Sequence, residues 1–399
     1  MFLDVLRRRN SGLIEAAIHL HQEKKLPANS YVIDTDTVER NARTLRETAD
    51  RHGLKIFAMT KQMGRNGDFC AAVRRGGITE SVAVDMECAR ATHRAGLTLG
   101  HLGHLVQVPR AEAAAAARMK PRYWTVFNDE KAGEAVEALR AADHDGQLLA
   151  RIQAEGDTFY RGHEGGFPAA DIVAVAERIE RLGKGRFAGI TTFPAQLFDA
   201  ATRAIKPTHN TETLRRAADA LAAAGRKDIE INAPGTTSSV MIPALADVGA
   251  TQCEPGHGLT GTTPLHALED LPEAPAVVYL SEVSHLHGGR AYCFGGGLYI
   301  DPVFPDYDVK AVVSREPTTA QTAQRSVEIP PPAAIDYYGM IDASGPAAPR
   351  VGDSVVFGFR AQAFVTRAYV VGISGLASGS PEVQTIHDAY GRPIDWPEW

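Results

Sequence analysis

Cysteine is scarce in this chain, with four residues in 399: Cys70, Cys88, Cys253 and Cys293. They lie far apart in the sequence, and no two of them have the spacing that structural zinc sites use. The sequence therefore excludes a disulfide framework and a zinc finger, and we expect four reduced thiols.

Long apolar runs and long runs of one charge are also missing. No stretch reaches the roughly eighteen apolar residues of a membrane-spanning helix, and the N-terminal segment MFLDVLRRRNSGLIEAAI carries acids that a signal peptide lacks. The net charge of -6 is spread along the chain, which excludes the basic surface of a nucleic-acid binder. We expect a cytoplasmic protein that has neither a membrane nor a nucleic acid as its partner.

What the chain does contain is a repeated alternation of short β-branched or aromatic runs with amphipathic helical periods. Helices are predicted, for example, over Asp129 to Ala142, Ala169 to Leu182 and Thr211 to Ala224. This alternation predicts parallel strands joined by helical crossovers, and eight such units close into a barrel. The eight predicted strands are 55–61, 78–84, 98–108, 123–128, 147–153, 187–194, 229–235 and 250–256.

The chain after the predicted barrel consists of Gly, Pro and strand-like runs such as AVVYLSEVSHL and AFVTRAYVVGI. This pattern is typical of a β-rich domain. We therefore predict an α/β fold in which residues 1–54 lead into a (βα)8 TIM-type barrel over residues 55–262. A C-terminal mostly-β domain follows over residues 263–399, and the early strand 30–38 is expected to pair with it.

Lys61 ends the first predicted barrel strand, at the carboxyl edge where barrels place their chemistry. A lysine at this point can extend its amine into solvent. It can also attack a carbonyl if burial or a nearby cation keeps the amine neutral, and Arg65 is a candidate for that cation. The spacing alone leaves both interpretations open.

Glycine-rich turns follow the last two predicted strands. Asn232-Ala233-Pro234-Gly235 leads into the hydroxyl residues Thr236, Thr237, Ser238 and Ser239 at the expected start of a helix over 238–245. Such a turn presents amides and hydroxyls to an anion such as phosphate, although simple N-capping of the helix is the alternative. The neighbouring turn Gly256-His257-Gly258 favours phosphate, because barrels commonly hold phosphate between adjacent turns of this kind.

Glu254 lies among apolar residues at the end of the last predicted strand, where a carboxylate is costly without a partner. An arginine would serve as that partner, and so would the protonated ring nitrogen of a ligand. An amine, a phosphate-binding turn and a buried acid at one barrel mouth are together the groups that hold pyridoxal 5'-phosphate. They would bind its aldehyde, its phosphate and its pyridine ring.

Eight stretches of the sequence carry a resemblance to a known family: YVIDTDTVERNA, FAMTKQMGRN, GHLGHLVQVPR, EGDTFYRGHEGGFP, GITTFPAQLFD, NAPGTTSS, CEPGHGLTG and FVTRAYVVGISG. The chain resembles the fold-type III pyridoxal-phosphate enzymes, specifically the alanine-racemase N-terminal-domain family and its YhfX-like group. The resemblance implies that Lys61 carries the cofactor as an internal aldimine and that Glu254 meets the pyridine nitrogen. It assigns the phosphate to Gly235, Thr236, Gly256, His257 and Gly258.

The same resemblance implies further contacts and a quaternary structure. Asn232 and Phe193 are expected to line the ring, and His104 is a candidate to stack on it. Thr237 and Tyr369 are candidates for the phosphate. A head-to-tail homodimer is implied, in which the β domain of one subunit completes the active site of its partner.

The reaction is less closely defined than the cofactor. Alanine racemases set an arginine against the ring nitrogen, whereas CEPGHG offers a carboxylate, as the basic-amino-acid decarboxylases of this fold do. We predict a racemase or epimerase that acts on a small-molecule amino acid through the Lys61 aldimine and an α-carbanion. The alternatives are a decarboxylase, a metal-assisted D-amino acid aldolase or dehydratase, and a non-enzymatic cofactor carrier.

Racemisation needs a second acid/base group opposite Lys61. We predict Cys293 for that role, because the decarboxylase relatives use a cysteine from the partner subunit, and Tyr292 is the next candidate. A buried and inert thiol is the alternative for Cys293. Other candidates are His285, His287, Tyr337 and Tyr338. No metal is predicted in the main hypothesis, although His285 and His287 with Cys293 would suit zinc.

Overall fold

The computed structural model describes residues 1–320 and 322–397. The chain divides into two compact units. The barrel unit comprises Arg43–Thr60 and Gly77–Gly256, and the β unit comprises Met1–Ala42, Lys61–Gly76 and the chain from His257 onward.

Strands and helices alternate through the barrel unit, and strands predominate after it. The strands are β1 (Ser30–Asp34), β2 (Lys55–Ile56), β3 (Ala58–Met59), β4 (Glu80–Ala83), β5 (Thr98–Leu102), β6 (Tyr123–Val126), β7 (Gln147–Gln153), β8 (Phe167–Pro168), β9 (Phe187–Thr191), β10 (Gln196–Asp199), β11 (Ala204–Pro207), β12 (Glu230–Asn232), β13 (Gln252–Cys253), β14 (Val277–His287), β15 (Arg290–Phe294), β16 (Lys310–Ser314), β17 (Gln324–Glu328), β18 (Tyr338–Asp342), β19 (Ser354–Phe357), β20 (Tyr369–Ser374) and β21 (Glu382–His387). The helices are α1 (Phe2–Arg9), α2 (Ser11–Gln22), α3 (Thr35–Arg51), α4 (Gly67–Arg75), α5 (Met86–Arg94), α6 (Ala113–Arg118), α7 (Asp129–Ala141), α8 (Ile172–Leu182), α9 (His209–Ala223) and α10 (Ile242–Asp247).

The barrel unit is a closed parallel barrel. Its strands follow the order β3, β4, β5, β6, β7, β9, β12, β13 and β2. Strands β2 and β3 are the two halves of one interrupted strand. Because β2 pairs with β13 and β3 pairs with β4, this strand joins the two ends of the sheet, which closes into a barrel of eight strands. The predicted (βα)8 architecture is confirmed.

The deep layer of the barrel interior is polar and centred on Glu230. Its carboxylate accepts hydrogen bonds from Lys55 Nζ at 2.7 Å and from the Tyr123 hydroxyl at 2.7 Å. Gln252 Nε2 donates to the same carboxylate at 3.0 Å. The adjacent strand packs without a side chain at this level, since a Cβ on Gly189 would lie 1.9 Å from the Glu230 carbonyl oxygen. These contacts fix the register of β9 against β12 below the mouth of the barrel.

The helices of the barrel unit begin where the sequence supplies caps. The Asn128 side chain accepts a hydrogen bond from the Lys131 amide at 2.9 Å, and α7 starts at Asp129 as predicted. The prediction for the helix over 238–245 is wrong, because α10 starts only at Ile242, with a proline in its first turn. The hydroxyl residues 236–239 therefore form a turn before the helix rather than its first turn.

The β unit is built around one large sheet. Its strands follow the order β15, β18, β17, β16, β19, β14, β1, β20 and β21, and β15 also pairs with β14, so six of them form a closed antiparallel barrel. The early strand β1 pairs with β14 and with β20, which confirms its expected association with the C-terminal strands. Helix α2 buries Leu13, Ile14 and Ile18 against this sheet. No helix in residues 1–320 and 322–397 combines the length and apolarity needed to cross a membrane.

Candidate active site

A buried carboxylate surrounded by polar side chains occupies the carboxyl end of the barrel. Glu254 follows β13 and is 4% exposed. Its Oε1 accepts hydrogen bonds from His101 Nδ1 at 2.5 Å and from Asn232 Nδ2 at 2.9 Å. His101 Nε2 lies 2.6 Å from Thr125 Oγ1, and His104 Nδ1 lies 3.5 Å from Glu254 Oε2. Side chains from the ends of β5 and β12 therefore converge on this carboxylate, and Thr125 on β6 supports His101.

The surroundings of Glu254 keep it ionised. Burial alone would raise the pKa of this carboxyl, but His104, His101 and the hydrogen bond from Asn232 outweigh burial and lower the pKa to about 2. Glu254 Oε2 has no hydrogen-bond partner among the described residues. A buried and ionised oxygen with spare acceptor capacity fits the protonated ring nitrogen of a bound cofactor.

Aromatic rings line the same mouth. His104 follows a tight turn at Gly103, whose φ of +74° is in the left-handed region. The His104 ring packs edge-on against His101 and against Phe193, each at a centroid distance of 5.4 Å. The structure thus brings together His104, Phe193, Asn232 and Glu254, all of which the sequence assigned to the cofactor ring.

The predicted phosphate turn differs in detail from the expectation. The Gly235 backbone packs against Gln196 so closely that a Cβ on Gly235 would lie 2.6 Å from the Gln196 carbonyl oxygen. The Thr236 amide donates a hydrogen bond to the same oxygen at 3.3 Å. Thr237 Oγ1 donates to the Gly235 carbonyl at 3.2 Å. The Ser238 hydroxyl, in contrast, is buried without a hydrogen-bond partner among the described residues. Ser238 is therefore the group of this turn that best fits an anion, and the sequence did not single it out.

Lys61 lies in the β unit, together with the glycine-rich turn that follows it. Its Nζ is 5.3 Å from the centroid of the Phe364 ring, and the Arg65 guanidinium is also 5.3 Å from that centroid. Gly64 and Arg65 both have left-handed φ values, +57° and +54°. The Lys61 amine and the Arg65 guanidinium therefore both lie near the Phe364 ring.

Other predicted cofactor residues also lie in the β unit. His257 Nε2 donates to the Ala361 carbonyl at 3.0 Å, and burial, reinforced by Arg360, lowers the pKa of His257 to about 3. His257 is therefore neutral and presents no positive charge to a phosphate. Gly258 lies in the same short helical turn, and the half-buried Tyr369 begins β20. Gly256 is the last residue of the barrel unit.

The predicted second acid/base group lies in an unfavourable environment. Cys293 is fully buried on β15, and burial raises the pKa of its thiol to about 12. This environment favours the alternative interpretation of Cys293 as an inert core residue. Tyr292 is half-buried, and its ring stacks on His285 at 4.5 Å.

The zinc alternative in the β unit finds no support in the described residues. His285 and His287 are exposed while Cys293 is buried, and these three do not form a cluster of metal ligands there. The cluster that does form among the described residues is His101, His104 and Glu254, whose donor atoms lie within 4.8 Å of one another. The sequence assigned His104 to the cofactor ring and did not single out His101. A polar residue such as His101 inside an apolar strand was the available signal.

Comparison with protein-family models identifies the chain. The model "Alanine racemase, N-terminal domain" matches residues 33–264, and "YhfX-like, C-terminal domain" matches residues 278–383. This chain belongs to the alanine racemase N-terminal domain family. Within that family it is similar to the uncharacterized protein YhfX of Escherichia coli (strain K12), with 37% identity over 394 residues that cover 99% of this chain and 100% of YhfX.

Solved structures of the alanine racemase type share the fold. D-threonine aldolase from Filomicrobium marinum aligns with a TM-score of 0.68 and 18% identity, over 92% of this chain and 96% of the aldolase. Alanine racemase from Clostridium difficile aligns with a TM-score of 0.63 and 15% identity, over 91% and 99% of the two chains. D-threo-3-hydroxyaspartate dehydratase from Delftia sp. HT23 has a TM-score of 0.63 and 17% identity, over 90% and 97%. The family is one of fold-type III pyridoxal-phosphate enzymes.

Proposed function

We propose that this protein is a pyridoxal-phosphate-dependent enzyme that racemises or epimerises an amino acid. The observation that supports the cofactor is the buried Glu254 carboxylate, which His101 and Asn232 hold ionised at the barrel mouth. Racemisation is proposed from the alanine racemase-like organisation of the chain. An ionised carboxylate keeps a pyridine nitrogen protonated. When bound, the cofactor would supply a cationic ring that withdraws electrons from the α-carbon of the substrate.

Lys61 and the barrel residues have separate tasks in this proposal. The Lys61 amine would bond to the aldehyde and, once released, would hold or deliver a proton on one side of the α-carbon. Arg65, which shares the Phe364 ring with Lys61, would favour the neutral amine. His104 and Phe193 would pack on the cofactor ring, and Ser238 with Thr236, Thr237 and the glycine turns would hold the phosphate.

The opposite side of the α-carbon requires a second proton carrier. Because burial raises the Cys293 pKa to about 12, we favour Tyr292, which lies on the same strand and retains solvent access. We further propose a head-to-tail homodimer in which Tyr292 acts in the active site of the partner. Light scattering coupled to size-exclusion chromatography should give twice the chain mass of 42.9 kDa; a monomer would contradict this part of the proposal.

The cofactor is tested first. The purified holoprotein should absorb in the visible region, and borohydride treatment should place the cofactor label on the peptide that contains Lys61. Lys55 is the internal control, since this lysine on β2 lies six residues before Lys61 and binds Glu230. Label on another peptide, or on none, would refute the assignment of Lys61.

The reaction is tested with single enantiomers in deuterated water. Racemisation or epimerisation predicts loss of optical purity together with deuterium at the α-carbon, and both should disappear in Lys61→Ala. Tyr292→Phe should slow exchange for one enantiomer more than for the other, because each proton carrier serves one side. Turnover without α-deuterium would overturn racemisation.

Decarboxylation is the second candidate function. The carboxylate at the ring position and the burial of Cys293 favour it, since decarboxylation needs no proton exchange on both sides of the α-carbon. Release of carbon dioxide from an amino acid would identify this reaction. A metal-assisted aldolase or dehydratase would instead release an aldehyde or ammonia and lose activity after chelation.

A further inference from the structure

His101 is a fully buried histidine near the end of β5, and both of its ring nitrogens have partners inside the barrel. Its Nδ1 lies 2.5 Å from Glu254 Oε1, and its Nε2 lies 2.6 Å from the hydroxyl oxygen of the equally buried Thr125. An ionised carboxylate only accepts hydrogen bonds, so Nδ1 carries the proton of the contact with Glu254. The Thr125 hydroxyl can bind the second nitrogen in either form, because a hydroxyl both donates and accepts. His101 therefore connects β6 to the carboxylate that follows β13.

The shape of β5 aims His101 at the interior of the barrel. Leu99 and His101 pair with two consecutive residues of β4, so that Gly100 is an extra residue in β5. A bulge of this kind re-aims the side chain beside it, and bulges are common next to active sites. Only glycine fits at this position without displacing the buried Phe57, since a Cβ on Gly100 would lie 2.5 Å from the Phe57 ring. The direction of His101 is therefore built into the backbone of β5.

The chain that follows β5 holds Thr125 in place. Gln107 Nε2 donates a hydrogen bond to the Thr125 carbonyl at 3.1 Å, and the Phe127 amide donates to Gln107 Oε1 at 3.1 Å. One side chain thereby satisfies two backbone groups at the end of β6, beyond the last register pair between β5 and β6. Because both ring nitrogens of His101 are bound to fixed partners, the ring has one orientation.

The two oxygens of Glu254 have different surroundings. Oε1 accepts hydrogen bonds from His101 and from Asn232 Nδ2, at 2.5 Å and 2.9 Å, which occupy both of its lone pairs. Oε2 has no hydrogen-bond partner among the described residues, and His104 Nδ1 lies 3.5 Å from it, beyond normal hydrogen-bond length. The two donors at Oε1 also fix the plane of the carboxylate. They therefore determine where Oε2 points and leave Oε2 as the acceptor for a ligand.

We propose that His101 is a positioning residue that holds Glu254 Oε1 through its Nδ1 proton and thereby directs an ionised Oε2 at the ring nitrogen of the cofactor. Thr125 supports this role by fixing the His101 ring. The task of Oε2 rests on the proposed function, whereas the coupling of His101 to Glu254 is a property of this chain alone. Without His101 the buried carboxyl group would turn or bind a proton itself, and either change removes the anionic acceptor from the ring nitrogen.

The first measurement uses the full-length protein without cofactor. A double-mutant cycle at pH 7 combines His101→Leu with Glu254→Gln and follows urea unfolding. Loss of His101 should change the unfolding equilibrium constant about tenfold more in the wild type than in Glu254→Gln, because only the wild type then keeps a buried carboxylate that has lost its donor. His101→Asn should retain much of the coupling, since the asparagine amide can donate from the position of Nδ1. His144→Leu is the matched control, because His144 is partly buried in the same unit but donates to the Pro121 carbonyl at 2.9 Å.

The second measurement uses protein loaded with cofactor whose ring nitrogen carries an NMR-active isotope label. The chemical shift of this nitrogen reports whether it is protonated. We expect a protonated nitrogen in the wild type and in His101→Asn, and an unprotonated nitrogen in His101→Leu and in Glu254→Gln. In the α-deuterium exchange assay, His101→Leu should lower kcat about tenfold or more and change KM little, because His101 acts through Glu254 and does not bind the substrate.

Thr125 offers a second pair of variants that leaves His101 in place. Thr125→Val removes the hydroxyl at nearly constant volume and should change the same readouts in the same direction, whereas Thr125→Ser should behave as the wild type. This pair supplies the comparison if circular dichroism shows that His101→Leu does not fold. Additive effects in the cycle, or a protonated ring nitrogen in the variant that lacks the donor, would overturn the proposal. Coupling in the cycle without any uptake of cofactor would refute the proposed function alone.

Discussion

Replacing Glu254 by glutamine removes the charge on which the proposed cofactor site depends, while it retains the shape of the side chain. The pKa of Glu254 is about 2 in the folded protein against an ordinary value of 4.5. This gap corresponds to about 3 kcal/mol of folding free energy at neutral pH. Because the folded-state pKa is lowered, the contribution is complete above pH 4.5 and is lost as the pH falls toward 2. By pH 3.5 the wild type should have lost about 1 kcal/mol that Glu254→Gln does not lose.

Urea unfolding of the cofactor-free protein at pH 7, 5 and 3.5 measures this difference. The free energies of unfolding of the wild type and of Glu254→Gln should converge as the pH falls. Cofactor binding is measured separately: its dissociation constant should rise at least about tenfold in Glu254→Gln, because a hydrogen bond to a charged group is lost. Glu230→Gln is the control, since Glu230 is a half-buried carboxylate bound to Lys55 and Tyr123 in the deep layer of the barrel. Equal pH dependence in the wild type and Glu254→Gln, or equal loss of cofactor affinity in both variants, would refute the reasoning.

Three further predictions concern residues outside the cofactor ring. The free energy of unfolding should fall as the pH drops from 6.5 toward 4, because burial lowers the pKa of His21 to about 4 and the folded chain resists protonation of this side chain. In urea titrations, His21→Gln should reduce this pH-dependent loss of stability by about 3 kcal/mol. Cys293 should not react with a thiol reagent at pH 8 until the chain unfolds, because burial raises the pKa of its thiol. Peptide mapping by mass spectrometry measures this labelling. Rapid labelling of Cys293 in the native state would restore this residue as an acid/base candidate. Gly189→Ala should lower the free energy of unfolding by about 3 kcal/mol or more, because the new Cβ would lie 1.9 Å from the Glu230 carbonyl oxygen. Gly133→Ala in α7 is the control, since a Cβ there meets nothing within 4 Å. Thermal unfolding should show that this second variant is as stable as the wild type or slightly more stable.

The parts of the fold that the sequence predicts are those with a regular hydrophobic period. Strand β7 has the predicted bounds, and α7 begins at Asp129 as predicted. The wrong predictions concern the ends of strands and helices, where tertiary contacts override the local sequence preference. Strand β9 stops at Thr191, because Thr192 and the following residues leave the sheet and bind α9 through Asn210. The helix predicted from Ser238 begins at Ile242, because the Gly235 turn is tied to Gln196, 39 residues earlier in the chain.

The same distinction explains which site residues the sequence reveals. Glu254 is visible from sequence because a carboxylate in an apolar strand needs a partner, whatever that partner is. The partner itself is not visible, since His101 comes from another strand 153 positions away and only the closed barrel brings the two together.

His101 shows why polar residues within a predicted strand require the three-dimensional structure. In the sequence, regular alternation along TLGHL places His101 on the same face as Leu99, and an alternating pattern does not say which face is buried. The bulge at Gly100 changes this alternation, and closure of the barrel then brings Thr125 and Glu254 to the two ring nitrogens. A histidine bound at both nitrogens is thus a product of local backbone shape and topology together. The residues that support a ligand site in this fold should therefore be sought among polar side chains that the barrel buries within its strands, and not only among residues at strand ends.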